Sequence, residues 1–142
     1  MTRAFFSFLS CFSIFIMFLG CAKENPAAPP AATELEGSWS GYLVNAPDLS
    51  VGLRIQGNGI IYTIGGQELY QATFTLNKSQ TPYCLDAVIT SSRNTQYVGK
   101  SSVGIYQLTN DTLLIAGNEP GNPLRPTSFT PSGQIAVMRV TR

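Results

Sequence analysis

Few side chains in this chain could do covalent or proton-transfer chemistry, and their spacing points away from catalysis. There is no histidine among the 142 residues, so the commonest metal ligand and the usual general base near neutral pH are missing. The three cysteines, Cys11, Cys21 and Cys84, stand far apart. Cys84 is the one that falls well inside the region patterned for folding. It has no imidazole to take its proton and no second thiol nearby, so it reads as a small buried hydrophobe. Asp48, Glu68, Asp86, Asp111 and Glu119 could in principle form an acid–base pair, but no spacing brings two of them together. Asp111 follows Asn110 and suits a tight turn. Glu36 is expected at the start of the folded region, paired with a surface base. No cysteine or carboxylate cluster has the spacing of a zinc or calcium site. No glycine-rich phosphate loop precedes a helix. The expectation is therefore no catalytic residue, no cofactor and no bound metal.

Cys21 is different because of its setting. Arg3 is followed by an apolar run from Ala4 to Leu19, then Gly20 and Cys21, and the composition changes at once to AKENPAAPPAATE. This layout resembles a bacterial lipoprotein signal, in which the cysteine after the cut receives acyl chains. The resemblance implies a signal peptide over 1–20, lipidation at Cys21 and attachment to a membrane of the cell envelope. Ala22, which stands where an aspartate would retain such a protein in the inner membrane, implies the outer membrane and a periplasm-facing domain. A plain secretory signal and an uncleaved anchor are the alternatives. The run is slightly short for a span, which needs about 20 apolar residues, and Ser7, Ser10 and Ser13 interrupt it. Residues 21–33 are rich in alanine and proline and read as a semi-rigid spacer.

Residues 34–142 are long enough for one domain. Net charge is +1 with no basic stripe, so nucleic acid is not an expected partner. Nearly every segment reads as strand. Ser38–Leu43 places Trp39 and Gly41 on one face and Tyr42 on the other. Val51, Leu53 and Ile55 alternate with Gly52, Arg54 and Gln56. Ile60–Ile64 lies between the Gly57-Asn58-Gly59 and Gly65-Gly66 turns. In Glu68–Leu76, Tyr70, Ala72, Phe74 and Leu76 share a face. Leu85, Ala87 and Ile89 alternate with their neighbours after the Thr81-Pro82 break. Ser102–Leu108 and Leu113–Gly117 flank the Asn110-Asp111 turn, and Ile135–Thr141 closes the chain. The stretch 117–133 reads as a long loop, and 42–49 (YLVNAPDL) as a second, shorter one. Eight short strands without an amphipathic helix suggest an all-β fold. The expected form is a small eight-stranded antiparallel up-and-down barrel, with a β-sandwich as the alternative.

The folded region also resembles a family of small exported bacterial domains grouped with lipocalin-like barrels. The residues that carry the resemblance are Leu35-Glu36-Gly37-Ser38-Trp39, Ile64-Gly65-Gly66-Gln67-Glu68, Gly104-Ile105-Tyr106-Gln107-Leu108, Asp111-Thr112-Leu113 and Arg125-Pro126-Thr127-Ser128-Phe129. The family has no established activity, so the resemblance implies a fold and no mechanism. Gly37-x-Trp39 is similar to the opening motif of true lipocalins, which implies that Trp39 closes one barrel end beneath an arginine from the last strand. Arg139 is the candidate, with Met138 and Val140 the competing inward residues.

Two functions follow. In the first, a non-catalytic envelope domain contacts a protein or other envelope component through its surface, with Arg125 and Phe129 as candidates. The competing role for these two lies inside the domain, with Phe129 plugging the barrel end and Arg125 pairing with an acidic residue. In the second, the barrel carries or senses a small apolar ligand. Trp39, Tyr62, Tyr70, Phe74 and Tyr106 are expected to point inward. Each buries about 150–250 Å², which would go far toward filling so small a space.

Overall fold

The computed structural model describes residues 33–142. The leader, Cys21 and all but the last residue of the spacer lie outside the described residues. After a 3-10 turn at Thr33–Leu35 the chain forms eight strands: β1 (Gly37–Leu43), β2 (Ala46–Gln56), β3 (Gly59–Ile64), β4 (Gln67–Asn77), β5 (Tyr83–Ser92), β6 (Ser101–Thr109), β7 (Thr112–Gly117) and β8 (Ala136–Thr141). Each pairs antiparallel with the next, and β1 pairs with β8, so the sheet is a closed up-and-down barrel. Closure leaves no unpaired strand edge to recruit another chain.

The alternation read from the sequence sets the two faces of the wall. Trp39, Val51, Leu53, Ile55, Tyr62, Ala72, Phe74, Leu85, Ala87, Ile89, Tyr106, Leu113, Ile115, Met138 and Val140 form the buried interior with Leu35. The hairpins are short where the local chemistry is right. Gly65 and Gly66 both adopt positive φ, 58° and 76°, which a two-residue turn matched to strand twist requires. Asn110 does the same at φ 51°.

Strand direction gives the barrel two unlike ends. Thr33–Leu35, the β2–β3, β4–β5 and β6–β7 turns and the C-terminus gather at one end. The β1–β2 and β3–β4 turns, the 93–100 connection with its 3-10 turn Thr95–Tyr97, and the 118–135 connection gather at the other. The segment 42–49 is not a loop. Tyr42 and Leu43 finish β1, Val44 and Asn45 make the turn, and β2 begins at Ala46. Its proline and aspartate are carried by a register shift between Tyr42 and Leu43 at the strand end, where backbone pairing is incomplete.

A second apolar cluster lies on the outer wall. Ile105, Ala116 and Val137 face outward from β6, β7 and β8 and are covered by Phe129 and Ile135. The 118–135 connection is therefore a strap along the outside of the barrel.

Candidate functional site

One barrel end is sealed. Trp39 is buried and its indole Nε1 donates to the Leu35 carbonyl at 2.9 Å. The arginine above its ring is Arg142, 4.4 Å from the ring centroid. It also donates to the Glu34 carbonyl at 3.1 Å and the Glu36 carbonyl at 3.4 Å. The expectation for Arg139 fails on strand phase. Met138 and Val140 take the inward positions of β8, and Arg139 points out. Tyr106, buried in the same core, donates its hydroxyl to Glu34 at 2.9 Å, while Lys78 pairs with the same carboxylate. Burial, and then the Glu34 contact, push the Tyr106 phenol above its ordinary range. Glu36 accepts from the Gly57 backbone N–H at 3.0 Å, so its partner is a turn and not a surface base.

The other half of the barrel is hollow. A cavity of about 390 Å³ opens at the end opposite Trp39 and takes lining from all eight strands. Its walls are largely aliphatic, with Leu53, Ile60, Leu85, Ile89, Ile115 and Met138. Of the five aromatic residues expected inside, Tyr62 and Tyr70 line this space, whereas Trp39, Phe74 and Tyr106 belong to the interior but not to the cavity wall. The space exists because small residues occupy inward positions on one side. Ala87 of β5, Ser102 and Gly104 of β6, Gly117 of β7 and Ala136 of β8 all line it. Sequence reasoning weighed the aromatics and overlooked these residues, although their phase was readable from the same alternation.

Tyr62 and Tyr70 sit opposite each other on β3 and β4, ring centroids 5.0 Å apart and planes inclined by 35°. Neither hydroxyl bonds a described residue. Burial pushes the Tyr62 phenol up to about 12. Burial also raises Tyr70, followed by the neighbouring Tyr62 and Tyr97. Both phenols are therefore neutral at physiological pH.

Tyr97, Glu119, Pro120 and Gln134 border the cavity and also a shallow polar groove beside it, which Gln96, Lys100 and Asn122 complete. The Tyr97 hydroxyl donates to Glu119, linking the 93–100 and 118–135 connections. That hydrogen bond holds the Tyr97 phenol above its ordinary value. Asn122 donates to Gln134 at 2.9 Å, tying together the two ends of the strap. Of these mouth residues the sequence singled out Glu119 alone, and only as one of five scattered acids, because all come from irregular segments whose meeting depends on barrel closure.

Arg125 and Phe129 are engaged within the domain. Arg125 pairs with Asp86 at 2.6 Å and donates to the Gly104 carbonyl at 2.6 Å. Phe129 does not plug a barrel end; it lies against the outer-wall cluster, because the strap runs along the β6–β8 face. Cys84, a free and buried thiol, faces outward from β5 and accepts a hydrogen bond from Gln80. Among the described residues no group of three cysteine or carboxylate side chains could hold a metal ion, and no helix is long and apolar enough to cross a membrane. Comparison of the chain with protein-family models, curated proteins and solved structures finds no match.

Proposed function

We propose that this is a non-catalytic, lipid-anchored protein of the cell envelope whose barrel holds one small apolar ligand. The observation that carries the ligand reading is the cavity of about 390 Å³, apolar and open at one end of a closed barrel. That volume lies at the small end of the range of ligand pockets, about 300–1,000 Å³. A surface-contact role through Arg125 and Phe129 has less support, since both side chains are already committed inside the domain. A contact role at the mouth end has one observation in its favour, the exposure of Tyr42, Val44 and Leu49 around the β1–β2 hairpin.

The ligand reading is tested at Gly117. A Cβ there meets nothing within 4 Å, and the residue lines the cavity. Gly117→Leu is therefore expected to put an isobutyl group into the space without displacing the backbone around it. The barrel lies wholly within residues 33–142, so the chain from Ala22 onward contains the complete hydrogen-bonded ring. Native mass spectrometry of that chain from its own envelope is expected to show a bound small molecule, and Gly117→Leu to lose it at unchanged or higher melting temperature. Equal ligand retention by the variant would place the ligand elsewhere. The anchor is tested separately. Cys21→Ser is expected to leave the membrane fraction, and unchanged processing and distribution would remove the lipoprotein reading.

A further inference from the structure

The cavity and the groove differ in chemistry but share Tyr97, Glu119, Pro120 and Gln134, so one molecule can occupy both. The inner wall is largely aliphatic. Tyr62 and Tyr70 stand in it with hydroxyls that have no protein partner among the described residues, and the adjoining groove holds the carboxamides of Gln96 and Gln134, the latter's oxygen accepting from Asn122. The groups that face a ligand along this path are thus mostly uncharged donors and acceptors, with one acid, Glu119, and one base, Lys100. One oxygen of the Glu119 carboxylate accepts from Tyr97, and Lys100 is the single cation of the groove. A charged head of either sign would meet one attractive and one repulsive side chain, Glu119 and Lys100, and would also lose its hydration. A neutral head loses no charge hydration on entering, and it can hydrogen-bond the two phenols, whose hydroxyls have no protein partner among the described residues. The volume suits one alkyl chain and not the two of a phospholipid.

We propose that the barrel's ligand is a single-chain amphiphile with an uncharged hydrogen-bonding head, its chain in the cavity and its head between Tyr62, Tyr70 and the carboxamides of Gln96 and Gln134. This rests on the ligand reading above and narrows it to a substrate class. A monoacylglycerol, a long-chain alcohol and an N-acyl amide share the required chemistry.

The experiment uses the chain from Ala22 onward and a fluorescent apolar probe, N-phenyl-1-naphthylamine. The probe reports occupation of the cavity and is displaced by three ligands of one chain length. These are 1-monolaurin, laurate and dodecyltrimethylammonium, each below its micelle concentration. Monolaurin is expected to displace the probe at the lowest concentration. In Tyr62→Phe and Tyr70→Phe, the affinity for monolaurin relative to the probe is expected to fall about 2- to 12-fold per hydroxyl, the value of one hydrogen bond. If the probe binds but laurate or the ammonium competes as well as monolaurin, the neutral-head proposal fails while the ligand cup stands. It fails in the same way if neither tyrosine variant changes the ratio. If the probe does not bind, and Gly117→Leu makes no difference, the ligand cup fails and this proposal with it.

Discussion

The residues that matter most here are tyrosines, and burial decides what they do. Tyr62 illustrates the consequence for stability. Its phenol ionises near 10 when unfolded and near 12 when folded. Between those values the unfolded chain has lost a proton that the folded chain keeps, so stability present below pH 10 is lost as pH rises toward 12. The slope is about 1.4 kcal/mol per pH unit for one such group. Tyr70 and Tyr106 are raised by the same cause and add to the loss. Urea titrations at increasing pH should therefore show the midpoint falling above pH 10, and Tyr62→Phe should reduce the dependence. A midpoint that is flat to pH 12 would mean that the ring is better solvated than its position implies. The inward direction of Tyr62, Tyr70, Phe74 and Tyr106 was legible in the sequence, since strand alternation places every second side chain on one face. Which of them would stand around empty space was not legible, because that depends on residues opposite them across the barrel.

At the scale of elements, the strands were far more legible than the connections. All eight strands follow from two-residue periodicity and turn chemistry, and their bounds in the structure extend the expected ones by a residue or two in most cases. The segment 42–49 misled because proline, aspartate and asparagine are turn formers. Asn45 does form the turn, but Pro47 and Asp48 sit at a strand end beside a register shift, where fewer backbone groups need partners. The strap could be recognised as a long proline- and glycine-rich stretch, but not its course. It crosses the outer wall because Ile105, Ala116 and Val137 present an apolar patch there, which Phe129 and Ile135 remove from water. Arg125 then fixes it. Its ion pair with Asp86 is half-exposed and worth at most about 1 kcal/mol, whereas its bond to the Gly104 carbonyl is charge-assisted. Arg125→Ala should lower stability by about 1–3 kcal/mol. Asp86→Asn should cost less, because the carbonyl contact survives. Chemical denaturation of the two variants checks the order. If Arg125→Ala is neutral for stability yet abolishes capture of an envelope component, the side chain serves a partner and not the strap.

The described residues as a whole form a tube that is packed at one end and hollow at the other, and this asymmetry arises from where small residues fall. Glycines do two opposite jobs in it. At Gly41 the β1–β8 seam closes so tightly that an added Cβ would lie 1.9 Å from the Arg139 carbonyl oxygen. At Gly104 the corresponding distance to the Ala116 carbonyl oxygen is 2.7 Å. These positions allow neighbouring strands to approach, and backbone has no rotamer by which to yield. Gly117, directly across from Gly104 in the β6–β7 register, has open space where its side chain would be. The chemistry of the substitution is thus a poor guide to its effect; position around the ring decides. Gly41→Ala, which adds a single methyl group, should weaken the seam by about 3 kcal/mol or more, at the severe end of overpacking. Gly117→Leu, which adds a whole isobutyl group, should melt at or above the wild-type temperature while excluding the ligand. Thermal unfolding of the two proteins side by side distinguishes this from uniform sensitivity of inward glycines. Were Gly41→Ala to melt like the wild type, the first and last strands would not meet as closely as the ring requires, and a cavity bounded by all eight strands would lose its seal.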